Sequence, residues 1–218
     1  MKIGLSISFL MVLSTLFYTD TDIHHEFCES ELWHHRIEIF NVITSICMIY
    51  FPIQSILKRE KNRNYLPEEC LIAIGFGSAL FHYHNTFLTS LFDEIFMLLF
   101  VCILGHKVFH TNYLIKYSNY FVCSVLIISK LCGLNSSIFP YLFSAYSIFY
   151  GTYAIYQGII PKTLCVKLLL IVIFRQVIED HCLAIPMIIS LMGHPLWHIL
   201  ISKFAVEVAD GVYKYIGT

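Results

Sequence analysis

Residues 78–97 read SALFHYHNTFLTSLFDEIFM, an apolar run that keeps two histidines and then an Asp-Glu pair. An ionisable side chain at the centre of a bilayer costs roughly 3 kcal/mol on insertion scales. His82, His84, Asp93 and Glu94 in so greasy a segment therefore point to a site whose other members lie elsewhere in the chain. The chain as a whole is as apolar as this stretch: 57% of its 218 residues are hydrophobic, 13% are charged, and the mean hydropathy is +0.70. That composition is outside the range of soluble domains and reads as an integral membrane protein. A net charge of −1 leaves no basic stripe for a nucleic-acid backbone, and no Gly-rich phosphate loop is present.

A membrane-spanning helix takes roughly 20 mostly apolar residues. Seven candidates follow the N-terminal segment, centred near residues 46, 78, 100, 125, 147, 171 and 205. The predicted fold is all-α, a seven-transmembrane-helix bundle. Its breaks are placed at KREKNRNYLPEE, at an FLTSLFDE turn, near HTNYLIKYSN, and at CGLNSSIFP, YQGIIPKT and MIISLMGHP, where Gly, Pro, Asn, Ser or charge interrupts the pattern. Residues 1–19 suit a signal peptide or a short anchor, 20–34 form an acidic segment, and 35–218 form one membrane domain.

Positive charge marks the cytoplasmic ends of spans. Lys58, Arg59, Lys61 and Arg63 crowd the first connection, Lys107 and Lys116 flank the third, Lys162 and Lys167 the fifth, and Lys214 lies in the tail. The alternate connections carry no Lys or Arg, so the N-terminus is expected on the luminal or extracellular side and the C-terminus in the cytoplasm. In that arrangement His82 lies near the outer end of the second helix, Asp93 opens the third, Glu179, Asp180 and His181 end the sixth, and GHPLWH opens the seventh.

His194 and His198 stand four apart, offset by about 40° on a helix, so both imidazoles can face one ion. His82 completes a three-histidine set, which leaves the fourth tetrahedral position open, as catalytic zinc sites do. Ser78 lies one turn before His82 on the same face, and Asp93 with Glu94 arrives from the next helix as an acid-base group. The set reads as metal-assisted hydrolysis. His84 points across the helix from His82. His106 and His110 share the four-residue spacing but sit beside Lys107 without a carboxylate, as interfacial residues do. Glu26, Glu29, Glu31 and Glu38 crowd the segment before the first span; such a run suits a hard cation such as calcium, or is simply solvated.

In order and spacing these pieces resemble the alkaline ceramidases, within the superfamily of seven-helix membrane hydrolases that includes adiponectin-receptor-like proteins. The residues that carry the resemblance are EFCESE at Glu26 to Glu31, E-x-x-N at Glu38 to Asn41, and G-x-G-S-x-x-F-H at Gly75 to His82. D-E-x-x-M at Asp93 to Met97 and H-x-x-W-H at His194 to His198 complete it. The resemblance implies a zinc amidohydrolase that cleaves ceramide to a sphingoid base and a fatty acid in the endoplasmic reticulum or Golgi membrane. It implies zinc on His82, His194 and His198, Ser78 placing water or oxyanion, and Asp93 as the acid-base group. It further implies calcium on Glu26, the Phe27 carbonyl, Glu29, Glu31 and Glu38. The chain departs from the family at Glu26-Phe27, where Asp-Trp is usual, at Glu31, where Asn is usual, and at QVIEDHC, where a W-x-x-D-x-x-C pattern is usual.

Cys28 and Cys182 match family cysteines, both fall on the outer side, and they are expected to pair. Asn135-Ser136-Ser137 is a glycosylation sequon in an outer loop. An acyl-ester lipid hydrolase would keep the same metal site, and a receptor of the adiponectin-receptor type would share its zinc ligands. A metal transporter would need ionisable groups along a path through the membrane, whereas here they gather at one end.

Overall fold

In the computed structural model of the chain, residues 28–33, 37–58, 65–132, 139–179, 181–182 and 184–216 are described. The expected segment 1–19, Glu26, Phe27, the sequon at Asn135 and Asp180 lie outside them. The regular elements among the described residues are helices: α1 (Cys28–Trp33), α2 (Ile39–Lys58), α3 (Leu66–His84), α4 (Phe87–Val108), α5 (Tyr113–Leu131), α6 (Phe139–Tyr156), α7 (Lys162–Glu179) and α8 (Met187–Ile216). The seven long ones follow the order of the seven apolar segments. Three of them, α2, α4 and α5, are long and apolar enough to cross a membrane.

The surface is inverted relative to a water-soluble protein. On α2 the buried stripe is Asn41, Ser45, Met48, Pro52 and Ser55, whereas Ile39, Ile43, Ile46, Tyr50, Ile53 and Leu57 face outward. Helix α5 repeats this, burying Asn119 and Lys130 while exposing Leu114, Tyr117, Phe121, Val125 and Ile128. An outward apolar face with a polar seam inside suits lipid, where helices associate through small and hydrogen-bonding side chains.

Helix α3 is buried on all sides, Cys70 to Ile74 without a break, and it packs between α2 and α4 with α8 against it. Two glycines let its neighbours approach. A Cβ on Gly75 would lie 2.6 Å from Ile49 Cγ1, and one on Gly77 would lie 2.8 Å from the Asp93 nitrogen and 3.0 Å from its Cα. The Gly77 contact presses the Asp93 backbone of α4 against the residue beside Ser78.

Two helix starts differ from the sequence reading. The FLTSLFDE stretch is not a turn: α3 stops at Asn85, a left-handed residue (φ 50°, ψ 46°) whose N–H donates to the Phe81 carbonyl at 2.6 Å. Thr86 then caps α4, accepting from the Thr89 N–H at 3.3 Å while the Thr89 hydroxyl accepts from the Thr86 N–H at 3.0 Å. Asp93 is thus nearly two turns inside α4 rather than at its start. Likewise MIISLMGHP does not break the chain, because α8 begins at Met187 and runs through Pro195. Both corrections move candidate site residues inward from the helix ends, and by similar amounts.

At that end the chain is tied together. The Glu38 N–H donates to the His82 carbonyl at 3.1 Å, and α1 packs on α8. Cys28 and Cys182 stand at disulfide distance, their Cα atoms 5.5 Å apart.

The Gly77 contact yields a paired expectation for thermal unfolding in detergent. Gly77→Ala overpacks the α3–α4 seam and lowers stability by about 1–3 kcal/mol, whereas Gly151→Ala, with nothing within 4 Å of its Cβ, leaves the midpoint unchanged or slightly higher.

Candidate metal centre

His82 comes from the last turn of α3, and His194 and His198 from the first half of α8. One ligand nitrogen from each lies within 4.8 Å of the others, the ring centroids are 4.7–5.0 Å apart, and the three residues are 2%, 4% and 0% exposed. This is the only group of three or more His, Cys, Asp or Glu of that closeness among the described residues. Three imidazoles converging in a dry site form a donor set for a borderline-soft divalent ion with one coordination position left open.

The surroundings orient the set. Glu38 Oε2 meets His82 Nδ1 and also accepts from Asn41 Nδ2 at 3.1 Å. A carboxylate behind a histidine holds the ring's orientation and turns its other nitrogen toward the metal. Ser78, one turn before His82, has its Oγ 3.4 Å from His198 Nε2. Ser45 donates to the Asn41 carbonyl at 2.8 Å, and its Oγ lies 3.2 Å from Ser78 Oγ, so α2 braces this side.

The acidic segment divides. Glu29 accepts from the backbone N–H groups of Phe40 at 2.8 Å and Asn41 at 3.1 Å, which fastens α1 to the start of α2. Burial raises the Glu29 carboxyl above its ordinary pKa, and those two N–H groups work against the rise. Glu38 Oε1 and Asn41 Oδ1 are buried acceptors without a hydrogen-bond partner among the described residues. Glu26 and Phe27, together with the side chain of Glu31, lie outside the description.

Asp93 and Glu94 have different surroundings. Glu94 forms an ion pair with Lys130, whose Nζ sits 5.9 Å from the centre of the Phe87 ring and 5.4 Å from that of Phe139. Asp93 has Arg175 as an electrostatic neighbour, and Arg175 also acts on His198 while its guanidinium lies 5.0 Å over the Trp197 ring. Lys130 and Arg175 were absent from the charge reading of the loops, although a lone cation in an apolar segment was the available signal. His84 is exposed at the end of α3, and His106 meets the Tyr120 hydroxyl, away from the three-histidine cluster.

The sequence model of the Ceramidase family matches residues 20–182, well over half of the chain. The matched span holds Cys28, Glu38, Ser78, His82, Asp93 and Cys182 and stops before His194 and His198. The convergence of those two histidines on His82 is therefore independent of the match. No curated protein and no solved structure matches the chain.

Removing the carboxylate behind His82 tests the metal centre without reference to any substrate. Glu38→Ala is expected to release a bound divalent ion about 10–100-fold more readily in chelator competition, whereas Glu207→Ala, at the exposed ion pair with Lys167, leaves retention unchanged.

Proposed function

The chain belongs to the ceramidase family, and on that premise we propose that it is a zinc-dependent amidohydrolase that cleaves the N-acyl bond of ceramide to a sphingoid base and a free fatty acid. The observation that carries this reading is the convergence of His82, His194 and His198 in one buried cluster with Ser78 beside it. We assign zinc to those three imidazoles. We take the seven long helices as spans, with the N-terminus and the metal centre toward the lumen of the endoplasmic reticulum or Golgi and the lysine-bearing connections in the cytoplasm.

Zinc bound there supplies Lewis acidity that makes water a competent nucleophile near neutral pH. The chain's own groups do the rest. Asp93 accepts a proton from the attacking water and returns it to the amide nitrogen as the C–N bond breaks, so the sphingoid base leaves as an amine and the acyl group as a carboxylic acid. Ser78 donates to the amide oxygen as charge gathers on it. Glu94, occupied by Lys130, is not the acid-base group. Ceramide carries two long chains and no charge, so a site within an apolar-faced bundle can receive it sideways from the bilayer.

Calcium is the second cofactor of this reading, held by Glu26, the Phe27 carbonyl, Glu29, Glu31 and Glu38. The two orphaned acceptors, Glu38 Oε1 and Asn41 Oδ1, support a hard cation at this position. The Cys28–Cys182 bond would hold the acidic segment over the site.

The test is hydrolysis of a panel of N-acyl sphingoid bases and acyl-ester lipids by the purified protein, with zinc content recorded. The wild type is expected to release sphingoid base. Asp93→Asn loses about 10²–10⁴-fold in rate while keeping its zinc, and His198→Ala loses both. Turnover of esters alone would reassign the substrate class, and bound zinc without any turnover would favour a receptor role. A calcium chelator that spares zinc is expected to lower the rate; an unchanged rate would remove calcium from the account.

A further inference from the structure

An imidazole presents a lone pair to a metal from one nitrogen while the other carries the proton, and the group facing the second nitrogen decides which is which. For His82 that group is Glu38. For His198 it comes from the helix that Glu38 immediately precedes: Thr44 Oγ1 of α2 lies 3.1 Å from His198 Nδ1. A hydroxyl can donate or accept, so the contact alone leaves the tautomer open.

The surroundings of Thr44 close it. Its Oγ1 lies 2.8 Å from the Phe40 carbonyl one turn earlier and 3.3 Å from the Asn41 carbonyl, and a carbonyl oxygen can only accept. A threonine has one hydroxyl proton. With it directed to the helix's own backbone, Oγ1 meets His198 with a lone pair, and the ring must supply the hydrogen. On the other side of the ring, Nε2 faces Ser78 Oγ at 3.4 Å, inside the three-histidine cluster.

We propose that Thr44 is a positioning residue that holds His198 as the Nδ1–H tautomer, with the Nε2 lone pair directed to the metal. The proposal rests on the zinc reading of the three-histidine site. It makes the start of α2 the common template of the centre, with Glu38, just before the helix, setting one imidazole and Thr44, within it, another. It also assigns a use to a hydroxyl that would otherwise be a neutral feature of an apolar helix. Valine keeps the shape of threonine and removes the acceptor. Serine keeps the acceptor and the bond to the carbonyl one turn back.

The experiment measures zinc affinity of the full-length wild type, Thr44→Val and Thr44→Ser by competition with a chromogenic chelator, beside the thermal midpoint of each zinc-free form. Thr44→Val is expected to bind zinc about tenfold more weakly. Thr44→Ser should stay within about twofold of wild type, and the three zinc-free midpoints should coincide. Equal affinity of Thr44→Val and wild type overturns the proposal, as does a Thr44→Ser protein as weak as Thr44→Val. A loss of affinity matched by a lower zinc-free midpoint assigns Thr44 to helix packing and overturns it too. If the wild type binds no zinc at all, the metal reading itself falls, and that outcome is distinct from the others.

Discussion

A polar seam on an apolar helix is unfavourable in lipid unless a neighbouring helix satisfies it, and α2 carries such a seam. Asn41, Thr44 and Ser45 lie along it and Glu38 stands just before the helix's first turn, and these residues contact the three-histidine cluster, Ser78 or α1. Glu38 meets His82, Thr44 meets His198, Ser45 meets Ser78, and the Asn41 N–H holds Glu29. The side chains that make α2 costly to bury in hydrocarbon are thus the ones that orient the site. The contacts that pack α2 into the bundle are the same ones that fix the imidazole orientations.

Close packing supplies the second constraint. The loop between α3 and α4 is short, and Gly77 lets the two helices meet with the Asp93 backbone almost touching the residue before Ser78. Lys130 then withdraws Glu94 toward α5, which separates the two adjacent carboxylates into one that is ion-paired and one that is beside Arg175. A neighbouring Asp-Glu pair is ambiguous in sequence; the third dimension distinguishes its members by the cation each one meets.

Local features of the chain were legible in the sequence. Helix order followed from hydropathy, and the histidine spacing in HPLWH and the Ser-to-His spacing in GFGSALFH follow from helical periodicity. Helix depth was not legible. Gly193, Pro195 and the Thr-Ser of FLTSLF read as breakers in water, yet a helix in an apolar bundle tolerates them when neighbours satisfy the backbone. The Thr86–Thr89 capping pair was the available sign that α4 starts early. Contacts between segments far apart in the chain were not legible either, including Thr44 with His198 and Lys130 with Glu94, because no local pattern encodes which helix faces which. The Cys28–Cys182 pairing is a long-range contact that was anticipated, through resemblance to a family and not through spacing.

The central claim is that His82, His194 and His198 together hold one metal ion. X-ray absorption at the zinc edge of the purified full-length protein tests it most directly. The account predicts a first shell containing three imidazole nitrogens at about 2.0–2.1 Å and no sulfur. A shell with sulfur, a shell of oxygens alone, or the absence of stoichiometric zinc would contradict it.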